Sequence, residues 1–146
     1  MKRFAYILIV AVMLIVPYQV KIVYSGQQKG ADLIGTWSNT VRSTNSSGES
    51  CPFVPDTITF DKSQTVSMLE LGIENLPYKI TLTKDERASI GKRFPELKGK
   101  ALLLVLPNTS MSWDNTPMVY AYSIKKNELT LILHNWSPAK FVRKTL

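Results

Sequence analysis

Two residue types that carry much of protein chemistry are almost missing. The chain has one cysteine, Cys51, and one histidine, His134. A single cysteine cannot close an internal disulfide, so the core alone must hold the domain together. Cys51 precedes Pro52 in a serine-rich loop, with no CxxC or Cys-His spacing. A zinc site needs several such donors, so no metal and no cofactor is expected. His134 ends the run "ELTLILH", and Ser137 follows soon after. A serine nucleophile also needs an acid to orient the base and donors for an oxyanion, and no segment offers them. Asp85 and Glu86 read as charges at a helix start, and nothing marks Glu70 and Glu74 as an acid–base pair. The seven glycines form no phosphate-binding loop. A protein without enzymatic activity is expected.

Acidic side chains are also few. Eighteen Lys and Arg face eleven Asp and Glu, a net charge of +7. That excess suggests nucleic acid only until the charges are located. Lys2, Arg3 and Lys21 flank an apolar N-terminal run. Beyond residue 25 the excess falls to about +4, an ordinary solubility charge. The densest basic patch is "KRFPELKGK", with Lys92, Arg93, Lys98 and Lys100. Only Phe94 is interleaved, a poor platform for stacking bases. The patch reads as a solvated face near a membrane, and no nucleic-acid partner is expected.

The N-terminus reads as a targeting segment. Lys2 and Arg3 precede the unbroken apolar run Phe4 to Val16, the length of a signal-peptide core. Pro17 ends it, and Val23 and Ser25 suit a cleavage site after Ser25. The competing reading is an uncleaved anchor: Phe4 to Tyr24 is roughly long enough, at about 20 residues, to span a bilayer as a helix. Gln19 and Lys21 weigh against it unless Lys21 snorkels. Both readings put the folded part outside the cytoplasm, secreted or membrane-anchored, with membrane contact through residues 1–24 if uncleaved. The chain then divides into a signal or anchor over residues 1–25, a linker over 26–32 and one domain over 33–146. Its 146 residues, 45% of them hydrophobic, suit one globular unit.

Within that domain, period-two alternation dominates. "DTITF" sets Ile58 and Phe60 against Thr57 and Thr59. "DKSQ" is a turn, and "TVSMLEL" resumes with Val66 and Met68 before "GIEN" breaks it. "LPYKITLT" alternates Leu76, Tyr78, Ile80 and Leu82 with polar residues. "MVYAYSI" and "ELTLIL", joined by "KKNE", make a hairpin in which Asn127 would tolerate positive φ. "ALLLVL" is apolar on both faces, so a strand there must be covered on both sides. Thr83 and Glu86 match a capping box, predicting a helix of about two turns that ends near Gly91 or before Pro95. Its Ile90 and Phe94 would cover an open sheet edge. With strands around Gly35 to Thr40 and in "AKFVRKT", about eight are expected. The fold class is all-β: an antiparallel up-and-down barrel with one short helix, plus an N-terminal apolar helix. Closure removes the edges of such a sheet.

The stretch "LIGTWSNT" sharpens this. Gly35-Thr36-Trp37 matches the Gly-X-Trp motif that opens the first strand of the lipocalin-like, or calycin, group of small barrels, and the domain resembles that group. The resemblance implies that Trp37 plugs one barrel end while a basic residue of the final strand, here Arg143, lies across the ring. A guanidinium stacks well on indole, and Gly35 would allow close backbone approach.

Function is then a matter of binding, and two surfaces compete. Phe60, Met68, Tyr78, Tyr120 and Tyr122 face inward and would line an apolar cavity for a small ligand, or else simply fill the barrel. Trp113 in "SMSWDNTP" and Trp136 in "HNWSP" lie in polar, turn-rich segments, where Trp favours protein-binding hot spots. The expectation is a binding domain for a protein partner, in an inhibitor, immunity or envelope accessory role. The alternative is a carrier of a small apolar ligand.

Overall fold

The computed structural model describes residues 32–106 and 116–145. The expected N-terminal apolar helix, the linker up to residue 31 and Trp113 fall outside them. The strands are β1 (Gly35–Val41), β2 (Thr57–Phe60), β3 (Thr65–Met68), β4 (Ile73–Lys79), β5 (Leu102–Val105), β6 (Met118–Lys125), β7 (Glu128–Ile132) and β8 (Ala139–Arg143). Helix α1 (Lys84–Arg93) lies between β4 and β5. Each strand pairs antiparallel with the next, and β8 pairs back onto β1, closing an eight-stranded barrel. No strand edge is left unpaired, which is how a sheet with one apolar face avoids edge-to-edge association.

Alternation sets which side chains enter the barrel. Ile58 and Phe60 of β2, Val66 and Met68 of β3, and Leu129 and Leu131 of β7 are buried. Their strand neighbours are only partly covered. β4 departs from the expectation of a strand running from Leu76 to Thr83. It begins at Ile73, and its pairing with β3 moves from Val66–Leu76 to Met68–Ile73, one residue longer on β4. Asn75, with φ +51°, takes up the extra residue. "GIEN" is thus part of a bulged strand, and the bulge lets Ile73 and Leu76 both face the core. In the β6–β7 turn, Lys126 rather than Asn127 carries the positive φ, at 55°.

One barrel end is closed by β1 and β8 together with the chain that leads into β1. Trp37 is fully buried, and its indole N–H donates to the Leu33 carbonyl (2.8 Å). The Arg143 guanidinium lies 4.3 Å from the indole centroid. It also donates to the carbonyls of Ile34 and Asp32, the latter at 2.7 Å. Stacking and hydrogen bonding satisfy the cation where water is scarce. Gly35 has φ +128°, and a Cβ there would sit 3.0 Å from an Arg143 nitrogen. No other residue combines that backbone angle with that clearance.

Helix α1 starts as the capping box requires. The Glu86 amide donates to the Thr83 hydroxyl (3.1 Å), and the Thr83 amide donates to the Glu86 carboxylate (2.9 Å). Lys79 of β4 also donates to Glu86 at 2.5 Å, anchoring the helix start to the barrel. The helix ends at Arg93, with Phe94 as its C-cap and Pro95 two residues on. It does not cover an open edge, since closure leaves none. It packs on the outside of the wall. β5 therefore serves two cores: Leu103 and Val105 point inward, and Leu102 and Leu104 point out against Ile90, Phe94 and Leu97. The doubly apolar run "ALLLVL" has cover on both faces, as its sequence demands.

Candidate binding surface

Inside the barrel, the expected cavity residues are packed together. Phe60 and Tyr78 meet edge to face, with ring centroids 5.2 Å apart. Phe60 is 1% exposed, and Met68 and Tyr120 have no exposed surface. Zero exposure means that no water-sized space touches those side chains. Tyr78 is buried at 6% exposure, and Tyr122 is only partly buried. Burial pushes both phenols above their ordinary range. It does so most strongly for Tyr120, which stays a neutral donor. The Tyr120 hydroxyl donates to the Phe53 carbonyl (3.0 Å). The β1–β2 loop, residues 42–56, is thereby drawn over the barrel end opposite Trp37.

Outside the barrel lies an apolar groove of about 300 Å³. Its floor is Leu104 and Val119 on the outer wall, and one side is Ile90, Arg93 and Phe94 of the helix. The other side is the β7–β8 loop with Leu133, His134 and Trp136, and Phe53 completes the lining. The groove exists because α1 covers only part of the wall, and the β1–β2 and β7–β8 loops meet at one barrel end. Trp136, half-buried, belongs to it; Trp113 lies outside the described residues. Phe53 and Arg93 were not singled out from sequence. Phe53 sits in the apolar island "PFVP" of a polar loop, and Arg93 belongs to a charge run that reads as a solvated face. The signals were an apolar residue in a polar loop, 40% exposed in the fold, and an Arg-Phe pair at a helix end.

The polar groups along the groove pair with one another. His134 Nδ1 meets a Glu96 carboxylate oxygen, and its Nε2 faces the Asn135 amide (2.9 Å). The His134 ring also packs on Phe94, with centroids 5.0 Å apart. The hydrogen bond from His134 holds the Glu96 carboxyl below the usual glutamate range. Ser137 does not approach His134 as a nucleophile would. Its hydroxyl accepts from the Thr44 amide (2.8 Å), and its carbonyl accepts from Ser43 (2.5 Å). These bonds tie the β7–β8 loop to the β1–β2 loop and so fix the wall that carries Trp136.

A second concavity, beside Cys51 and Asn39, holds about 30 Å³, room for a water or two and no ligand. Burial pushes the Cys51 thiol up, away from the reactive thiolate. Among the described residues no three His, Cys, Asp or Glu side chains group as metal donors. No helix among them is long and apolar enough to cross a membrane.

The closed antiparallel barrel of eight strands is compatible with a lipocalin-like fold. No family model, curated protein or solved structure matches the chain.

Proposed function

We propose that this is an exported or membrane-anchored, non-enzymatic binding domain of lipocalin-like descent that engages a protein partner through its outer surface. An inhibitor, immunity or envelope accessory role suits such a domain. The observation that carries the reading is the contrast in space. The interior residues Met68 and Tyr120 have no exposed surface, whereas the groove at Trp136 offers about 300 Å³ lined by apolar side chains. Apolar pockets flanked by aromatic residues are where partner side chains anchor. Export is supported by the run Phe4 to Val16 behind Lys2 and Arg3.

The test is site-specific photo-crosslinking of the full chain in its own cells. A photoreactive residue at position 53 or 136 should give one discrete protein adduct, and one at position 68 should give none. Trp136→Ala, with a photoreactive residue at 53, should remove the adduct while leaving stability nearly unchanged. The carrier reading keeps one favourable observation: Tyr122 is only partly buried, with a hydroxyl that would orient a ligand. Saturable binding of an apolar fluorescent probe that survives Trp136→Ala and is lost on Tyr120→Trp would replace the surface reading with the carrier.

A further inference from the structure

The groove has a sign as well as a shape, and this inference rests on the binding surface described above. Among the described residues, Arg93 and His134 are its only ionisable lining residues, and no Asp or Glu lines it. Glu96, three residues along the chain from Arg93, is occupied by His134. Arg93 has no carboxylate within ion-pair distance among the described residues. Its guanidinium instead lies 5.2 Å from the Phe94 centroid. Stacking fixes the plane of the fork and leaves its N–H edge free for a planar anion. Of the other three arginines among the described residues, Arg87 does not line the groove, and two are held within the fold. Arg42 pairs with Asp56 at 3.1 Å, and Arg143 serves the barrel plug.

We propose that the groove recognises a partner segment that presents a large apolar side chain beside a carboxylate. The apolar group rests on Leu104 and Val119 between Phe53 and Trp136, and the carboxylate pairs with the Arg93 guanidinium. The apolar contacts supply affinity. The cation, set at the rim of a low-dielectric wall, supplies preference for an acidic segment over a neutral or basic one. A segment of a protein partner fits better than a free amphiphile. The groove is open along its top, so it suits a side chain projecting from a larger surface rather than a ligand to be enclosed.

The experiment uses the full chain and fluorescein-labelled peptides, read by anisotropy. The peptide Ser-Phe-Glu-Phe-Glu-Ser should bind saturably. Its Gln-for-Glu counterpart should bind about threefold to tenfold more weakly, the range of a partly exposed charge pair. Arg93→Gln should erase that difference, Arg93→Lys should restore part of it, and raised salt should shrink it. Val119→Trp, which fills the floor, should abolish binding of both peptides. Equal binding of the acidic and neutral peptides, or an acid preference that survives Arg93→Gln, would overturn the anion preference while leaving the groove as the binding surface. Absence of binding by either peptide would overturn the proposal. If the crosslinked adduct also persisted in the Val119→Trp chain, the surface reading would fall with it. Binding of 4-phenylbutyrate more tightly than the acidic peptide would assign the site to a free amphiphile instead.

Discussion

The two faces of strand β5 carry the same kind of residue and meet different fates. Among the described residues, Leu103 and Val105 join an inward cluster of sixteen buried residues. Outward, Leu102 and Leu104 join a cluster of four among the described residues, fringed by half-buried Ile90, Phe94 and Val119. A sheet that closes on itself seals its interior from all sides, whereas a ten-residue helix laid on the outside covers one strip and stops. The difference teaches where stability resides and where the proposed partner would bind. The interior is finished and holds the domain together. The outer layer is unfinished, and its unfinished part is the groove.

The strongest way to break this contrast is Trp37→Ala. Removing a fully buried indole from the barrel end should cost about 3–5 kcal/mol in urea unfolding, and it would strip Arg143 of its stacking partner. A loss under about 1 kcal/mol would mean that the barrel end is not a keystone of the interior. Tyr120→Trp probes the same core from the opposite direction. A filled barrel should lose about 1–3 kcal/mol to overpacking, and a neutral or stabilising effect would reveal room inside. The outer layer should respond more weakly. Thr83→Ala removes the N-cap acceptor of the helix and should cost about 0.5–2 kcal/mol.

The same helix start also carries a pH signature. The Lys79 ammonium, and then the Thr83 amide, hold the Glu86 carboxyl below its ordinary range. Its contribution is therefore fully present above the unfolded glutamate value, about 4.3. It is lost as the pH falls through the lower folded value. Between pH 6 and pH 3 the Glu86→Gln variant should show a shallower decline in stability than the parent. An equal decline in both chains would place the acid sensitivity elsewhere.

The alternation in "TITF", "TVSM" and "ELTLI" made the strands legible because each buries one face only. The doubly apolar "ALLLVL" announced a wall covered on both sides. Thr83 and Glu86 announced their helix because a capping box is local chemistry. Gly35, Trp37 and Arg143 were legible as a set through resemblance, and the fold brings them together. What stayed hidden depends on long-range placement. Asn75 absorbs an extra residue only because β3 fixes the register beside it. No sequence period shows that α1 would stop short of the β7–β8 loop, leaving Arg93 and Phe53 to face Trp136. The groove is a property of where elements end, and ends depend on neighbours far away in the chain.

The closing pair, β1 with β8, sets Trp37 directly opposite Arg143, residues more than 100 positions apart. Contacts so distant in sequence form late, because a long loop must close before they repay its entropy. Until Ala139–Arg143 has arrived, β1 and β7 each offer an open edge to any neighbouring chain. A chain that emerges from a ribosome or through a membrane in order must carry that exposure for nearly the whole of its passage. The fold therefore places its greatest risk of aggregation in the moments before β8 docks, and any factor that shields β1 in that interval would raise the yield of folded protein.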